Sequence, residues 1–88
     1  MTVYVDEVRT HYNGHWCHMW SRSVLELHQM ADKIGLKRSW FQGNDDHPHY
    51  DLRQSKRALA IAAGAVPCTS VELVHMIRDH RKTRKQVP

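Results

Sequence analysis

Apolar and polar positions along the 88-residue chain switch between a period of two and a period near 3.6, and the switches mark its elements. Thr2-Val3-Tyr4-Val5-Asp6 is β-branched and aromatic and predicts a strand. Asn13-Gly14 predicts a turn, and His15-Trp16-Cys17-His18-Met19-Trp20 alternates as a second strand does. Ser23-Val24-Leu25-Glu26 is a capping-box pattern, followed by Val24, Leu27, Ala31 and Ile34 at helical spacing and by Gly35 where a helix-ending glycine belongs. Arg38-Ser39-Trp40-Phe41-Gln42 predicts a third strand, and residues 43–48 are turn chemistry throughout. His49-Tyr50-Asp51 then leads into a second helix from Leu52 to Gly64, apolar on nearly all sides after Arg57 and so expected to be buried. Ala65-Val66 predicts a short buried strand. Thr69-Ser70-Val71-Glu72 opens a third helix with Leu73, Val74 and Ile77 on its inner face.

This order predicts an α/β fold: a small mixed or parallel sheet of three to four strands with three helices, in one domain over residues 1–88. Residues 79–88 form a basic C-terminal end, expected to fray. The strand at Trp16–Trp20, joined through the first helix to Arg38–Gln42, predicts a right-handed crossover with parallel pairing. A chain of this length buries roughly 60–65% of the surface its unfolded form exposes, so the core is modest and a homo-oligomer is compatible with it.

Composition adds the setting. The N-terminus has no basic leader before a long apolar run, and no stretch reaches the roughly 20 apolar residues of a membrane span. Cys17 and Cys68 stand far apart and form no paired ligand motif, which predicts free thiols and a cytoplasmic setting. The formal charge is +4, with eight histidines in addition, and such a balance favours anionic partners. Arg78, Arg81, Lys82, Arg84 and Lys85 crowd one end, where they suit the negative pole of a helix and offer a surface to nucleic acid.

The polar residues that carry candidate chemistry gather near predicted strand ends and helix starts, where α/β sheets bind ligands. Lys56 and Arg57 fall in the first two turns of the second helix, against its dipole, and the mismatch points to an anion there. Asp51, with Gln54 three residues on, reads as a helix cap and alternatively as a ligand. His15 with His18, or His47 with His49 beside Asp45 and Asp46, are metal-type donors, although no HxxxH or CxxC spacing supports them. His28 falls on the inner edge of the first helix, where a hydrogen-bonded core histidine is common. Trp16, Trp20, Trp40, Tyr4, Tyr12 and Tyr50 supply aromatic faces, mostly for the core, with Trp40 beside Arg38 as the candidate to stack on a base. No G-x-S-x-G, glycine-rich phosphate loop or G-x-G-x-x-G is present.

The elements Val3-Tyr4-Val5-Asp6, Cys17-His18-Met19, Glu26-Leu27-His28 with Ala31 and Gly35, Arg38, Trp40, Gln42, His49-Tyr50-Asp51, Lys56-Arg57 and Gly64-Ala65 give the chain a resemblance. It resembles an uncharacterised domain-of-unknown-function family of short bacterial and phage proteins, with extra residues around Asn44–Pro48. The resemblance implies that His18, His28, Arg38, His49, Asp51, Lys56 and Arg57 form one site, and a phage context implies capture of a nucleotide signal of host immunity. The expected function is therefore a binding protein for a phosphorylated nucleotide-like ligand, acting as an oligomeric sponge without a cofactor. Lys56, Arg57 and Arg38 would neutralise phosphate, while His18, His28 and His49 would bond phosphate or ribose. Trp40 or Tyr50 would stack on the base, with Gln42 and Asp51 completing the pocket. The alternatives are a metal-dependent phosphoesterase or nuclease, with a divalent ion on His18, His28, His49 and Asp51, and a nucleic-acid accessory protein using Arg78–Lys85.

Overall fold

A computed structural model of the chain describes residues 2–11, 14–43 and 47–86. Among the described residues, five strands and three α-helices form an α/β fold with a mixed sheet. The long strand β3 (Gly14–Ser21) is its axis. Its first half pairs antiparallel with β2 (Arg9–His11) and its second half with β1 (Val3–Val5). β4 (Tyr50–Arg53) pairs antiparallel over residues 16–19, so it takes the opposite edge from β1 and β2. β1 and β2 are one line interrupted at residues 6–8, and the pairing sum shifts by one across the gap, as a bulge requires. β5 (Val66–Pro67) runs parallel to β1 on its outer edge.

Alternation along β3 and β4 divides the molecule into layers. Cys17, Met19, Tyr50 and Leu52 point to one face, where α1 (Val24–Lys33) and α2 (Gln54–Ala62) cover them with Leu27, Met30, Ala31, Ile34 and Ala60. On the other face Trp20 packs on Leu73 and Ile77 of α3 (Ser70–Gln86). The helix ends follow the sequence signals. Ser23 Oγ accepts the Glu26 N–H at 3.2 Å. Thr69 and Glu72 form a complete capping box, with bonds of 3.0 and 2.8 Å. Gly35 and Gly64 adopt φ of +79° and +111°, and the next residue's N–H returns to Ala31 and Ala60 respectively, closing α1 and α2 in the Schellman manner.

Several expectations are corrected. Residues 38–40 form a 3₁₀ turn instead of a strand, and only Gln42 makes a ladder contact, an isolated bridge to His49. Both edges of β3 are already taken, so no parallel crossover to this segment exists; the parallel pair is β1 with β5. The segment beginning at Tyr50 enters as strand β4, and α2 starts only at Gln54. α2 buries only Ala60 fully, because a helix of small residues lies close on the sheet with one narrow stripe and leaves Leu59 in solvent. Val66 is exposed on an edge strand. The expected turn at Asn13-Gly14 lies partly outside the described residues, and Gly14 already belongs to β3. The basic segment continues the helix α3 to Gln86. Cys17 and Cys68 are free thiols, and burial pushes Cys17 up to about 12. Among the described residues no helix is long and apolar enough to cross a membrane.

Candidate metal centre

The bulge between β1 and β2 is where the candidate site is built. Its first residue, Asp6, is only 3% exposed. The Asp6 N–H still donates to the His18 carbonyl at 3.1 Å, but the return bond is replaced. The His18 N–H donates to the Asp6 carboxylate, Oδ1, at 2.6 Å. The Asp6 carbonyl, turned out of the ladder, accepts from Arg57 Nε at 2.8 Å. The carboxylate thus stands in for a main-chain acceptor and keeps its second oxygen, which lies 3.0 Å from His18 Nδ1 and also accepts from Ser70 Oγ at 3.4 Å. Burial alone would raise the Asp6 carboxyl; the bonds from the His18 ring and N–H and from Ser70 outweigh it and hold the group below its usual value.

His18 faces α3 from the middle of β3, and its ladder partner on β4 is Asp51. His49, just before β4, is buried, and its Nδ1 lies 2.8 Å from the His47 carbonyl. A carbonyl can only accept, so Nδ1 carries the proton and Nε2 is turned to the centre. The ionised Asp6 fixes His18 in the same tautomer. His49 Nε2 lies 3.3 Å and His18 Nε2 3.9 Å from Asp51 Oδ1, and the two rings meet edge to face at 5.3 Å. The contact with His49 lowers the Asp51 carboxyl, against desolvation, with help from Gln42, whose Nε2 donates to Oδ2 at 2.5 Å. The three inward atoms of His18, His49 and Asp51 lie within 4.8 Å of one another. The lowered Asp51 carboxyl is that of a carboxylate accepting a proton from His49 Nε2; with that proton displaced, the two Nε2 atoms and the Asp51 oxygen are three donors that one cation can share.

Two cavities flank this centre. A small one, about 150 Å³, is bordered by His18, His49, Arg9 and Ser70 under α3. On the β4 side, a groove of about 440 Å³ begins at Asp51 and Gln42 and runs along Trp16, Arg53, Leu36, Trp40, Ser55 and Lys56.

The remaining expected site residues lie elsewhere. His28 is on the opposite face of the sheet, where its Nδ1 and the Tyr50 hydroxyl are 2.8 Å apart, so neither joins His18. Tyr50 is fully buried and cannot stack on a ligand. Arg38 sits on the surface against Asp32 at 3.4 Å. Asp51 caps no helix, because it lies within β4. The cations of α2 are partnered by main-chain oxygens, Lys56 by Ile34 at 2.7 Å and Arg57 by Asp6, which removes the anion expected from their position. Arg57 buttresses the bulge. Trp16, expected among the mostly core aromatics, lines the groove instead with the Arg53 guanidinium 4.7 Å over its ring. Arg53 is not among the expected site residues, and its alternation with Leu52 is the signal that places it on this face.

Residues 3–80 match the model of a family described as a protein of unknown function, DUF4031, and the chain belongs to that family. No curated protein and no solved structure matches the chain.

Proposed function

We propose that this DUF4031 chain is a divalent-metal-dependent phosphoesterase whose ion is held by His18, His49 and Asp51. The observation that carries the reading is the pair of fixed tautomers: each histidine gives its Nδ1 proton to a built-in acceptor, Asp6 or the His47 carbonyl, and turns Nε2 toward the same carboxylate oxygen. Outer partners of this kind orient histidine ligands in metal proteins. Three protein ligands leave a coordination position for water, the arrangement of catalytic rather than structural zinc. His18 is 42% exposed, so water and substrate reach the centre.

An ion held by His18, His49 and Asp51 would supply a water of lowered pKa as the nucleophile and a positive charge for a phosphoryl oxygen, so that hydrolysis would break the ester P–O bond with the departing oxygen protonated by solvent. Arg9 on one side and Arg53 and Lys56 on the other put positive charge around the centre, which favours an oxyanion over a neutral ester. Purified protein treated with chelator is expected to turn over bis(p-nitrophenyl) phosphate only when zinc or manganese is restored. Asp51→Asn is expected to lower that rate at least 100-fold. Turnover unaffected by chelator, or the absence of turnover of any phosphoester by metal-loaded protein, would remove the reading.

A further inference from the structure

We infer that the groove beside Asp51 is a nucleobase subsite, so that the substrate class of the centre is a nucleoside phosphate; this rests on the phosphoesterase reading. The groove has the volume of small-molecule sites and an apolar floor and walls from Leu36, Trp16 and Trp40. Trp40 is 49% exposed although its 3₁₀ turn is well anchored, with Trp40 N–H on Lys37 O and Phe41 N–H on Arg38 O. A large aromatic face is thereby held in water at the rim of a cavity. Cations stand beside both indoles: the Arg53 guanidinium lies 4.7 Å over Trp16, and Lys37 Nζ 5.6 Å over Trp40. Lys56 is fixed on Ile34 O, which uses one of its three N–H donors.

Flat aromatic faces with interleaved cations are the chemistry that takes a stacked base and its phosphate together. Asp51, a ligand of the proposed centre, also lines the groove, so a base against Trp16 or Trp40 and a phosphate on the ion belong to one short molecule. A bare phosphate would leave the indoles unused, and a polyanion without bases would have no reason to meet them. Gln42, which also lines the groove, is fixed on Asp51 by its amide nitrogen.

The test is an NMR titration of the full chain, following the three indole N–H signals; Trp20 lines the small cavity beside His18 and reports on the centre, whereas Trp16 and Trp40 report on the groove. Adenosine, cytidine, guanosine and uridine monophosphates are compared with ribose 5-phosphate and inorganic phosphate, each with zinc and with chelator. At least one nucleoside monophosphate should shift Trp16 and Trp40, which ribose 5-phosphate leaves unmoved, and bind at least tenfold more tightly than ribose 5-phosphate. Trp40→Ala, at an exposed position, should weaken it about 10- to 100-fold while leaving inorganic phosphate binding unchanged. Equal affinity for nucleotide and ribose 5-phosphate, or a Trp40→Ala variant that binds nucleotide as the parent does, would overturn the subsite. The chelator arm separates the two ideas. If the ion site fails and the groove holds, nucleotides still shift Trp16 and Trp40 with zinc making no difference. If the groove alone fails, zinc still promotes phosphate binding while both indoles stay unmoved.

Discussion

Two polar residues, the buried Asp6 and the half-buried His28, show how the same chain uses a side chain for opposite ends. Asp6 receives an N–H and a ring proton from His18 and a hydroxyl from Ser70, and its own carbonyl is held by Arg57, so its orientation is determined from four directions. That determination is transmitted to a candidate ligand. His28 instead meets Tyr50 and the Phe41 ring, and desolvation, with the positive charge of Arg38, lowers its pKa below the ordinary 6.5. The sign of the consequence follows by linkage: as pH falls through 6.5 the unfolded chain takes a proton at this position before the folded chain does, so folding weakens toward acid. Urea unfolding at pH 8 and pH 5 should show a smaller acid loss in His28→Gln than in the parent, the other histidines being common to both. An identical loss in the two proteins would remove His28 as the source. Residue types were legible in the sequence for His18, His49 and Asp51, but spacing alone could not separate His28 from them. His28 departs because Tyr50, its partner, alternates with Asp51 on β4 and so faces the other layer.

At the scale of elements, the helix boundaries with side-chain or glycine signals were readable, and the elements set by tertiary partners were not. Thr69 and Glu72 bond reciprocally at the start of α3, and Thr69→Ala should cost about 1 kcal/mol in chemical denaturation. A change below about 0.3 kcal/mol would show that the helix is held by Leu73 and Ile77 packing alone. β4 was mistaken for a helix start because Asp51-Leu52-Arg53-Gln54 imitates a cap, while the buried pair Tyr50 and Leu52, two apart, carried the period of a strand. The 38–42 segment has aromatic, strand-like composition, yet no sheet edge remains for it beyond one bridge to His49. Lys56 and Arg57 looked like an anion site from their place against the helix dipole. Carbonyls of Ile34 and Asp6, distant in sequence, satisfy them instead, and no local pattern announces such acceptors.

The whole molecule is a sheet whose two faces do different work. The α1 and α2 face holds most of the apolar core, and the α3 face is thinner, built on Trp20, Leu73 and Ile77, which leaves space for polar residues near the middle of β3. The layer order α/β was legible from the sequence, and so was the presence of histidine and carboxylate donors. Their convergence was not, because it depends on Asp51 being registered opposite His18 across an antiparallel pair. The extents of 40 × 24 × 23 Å reflect a long α3 whose buried residues, among those described, end at Ile77. An ion bound to the folded chain alone stabilises it, by about 2.7 kcal/mol when present at 100 times its dissociation constant. The most direct measurement is a titration of chelator-treated protein with cobalt(II), read in the visible d–d bands and by calorimetry. The account predicts saturation at one ion per chain, displacement by zinc, and loss of the bands in His49→Ala and Asp51→Asn variants that remain folded. Failure of cobalt, zinc and manganese to bind saturably, or equal binding by those variants, would contradict it.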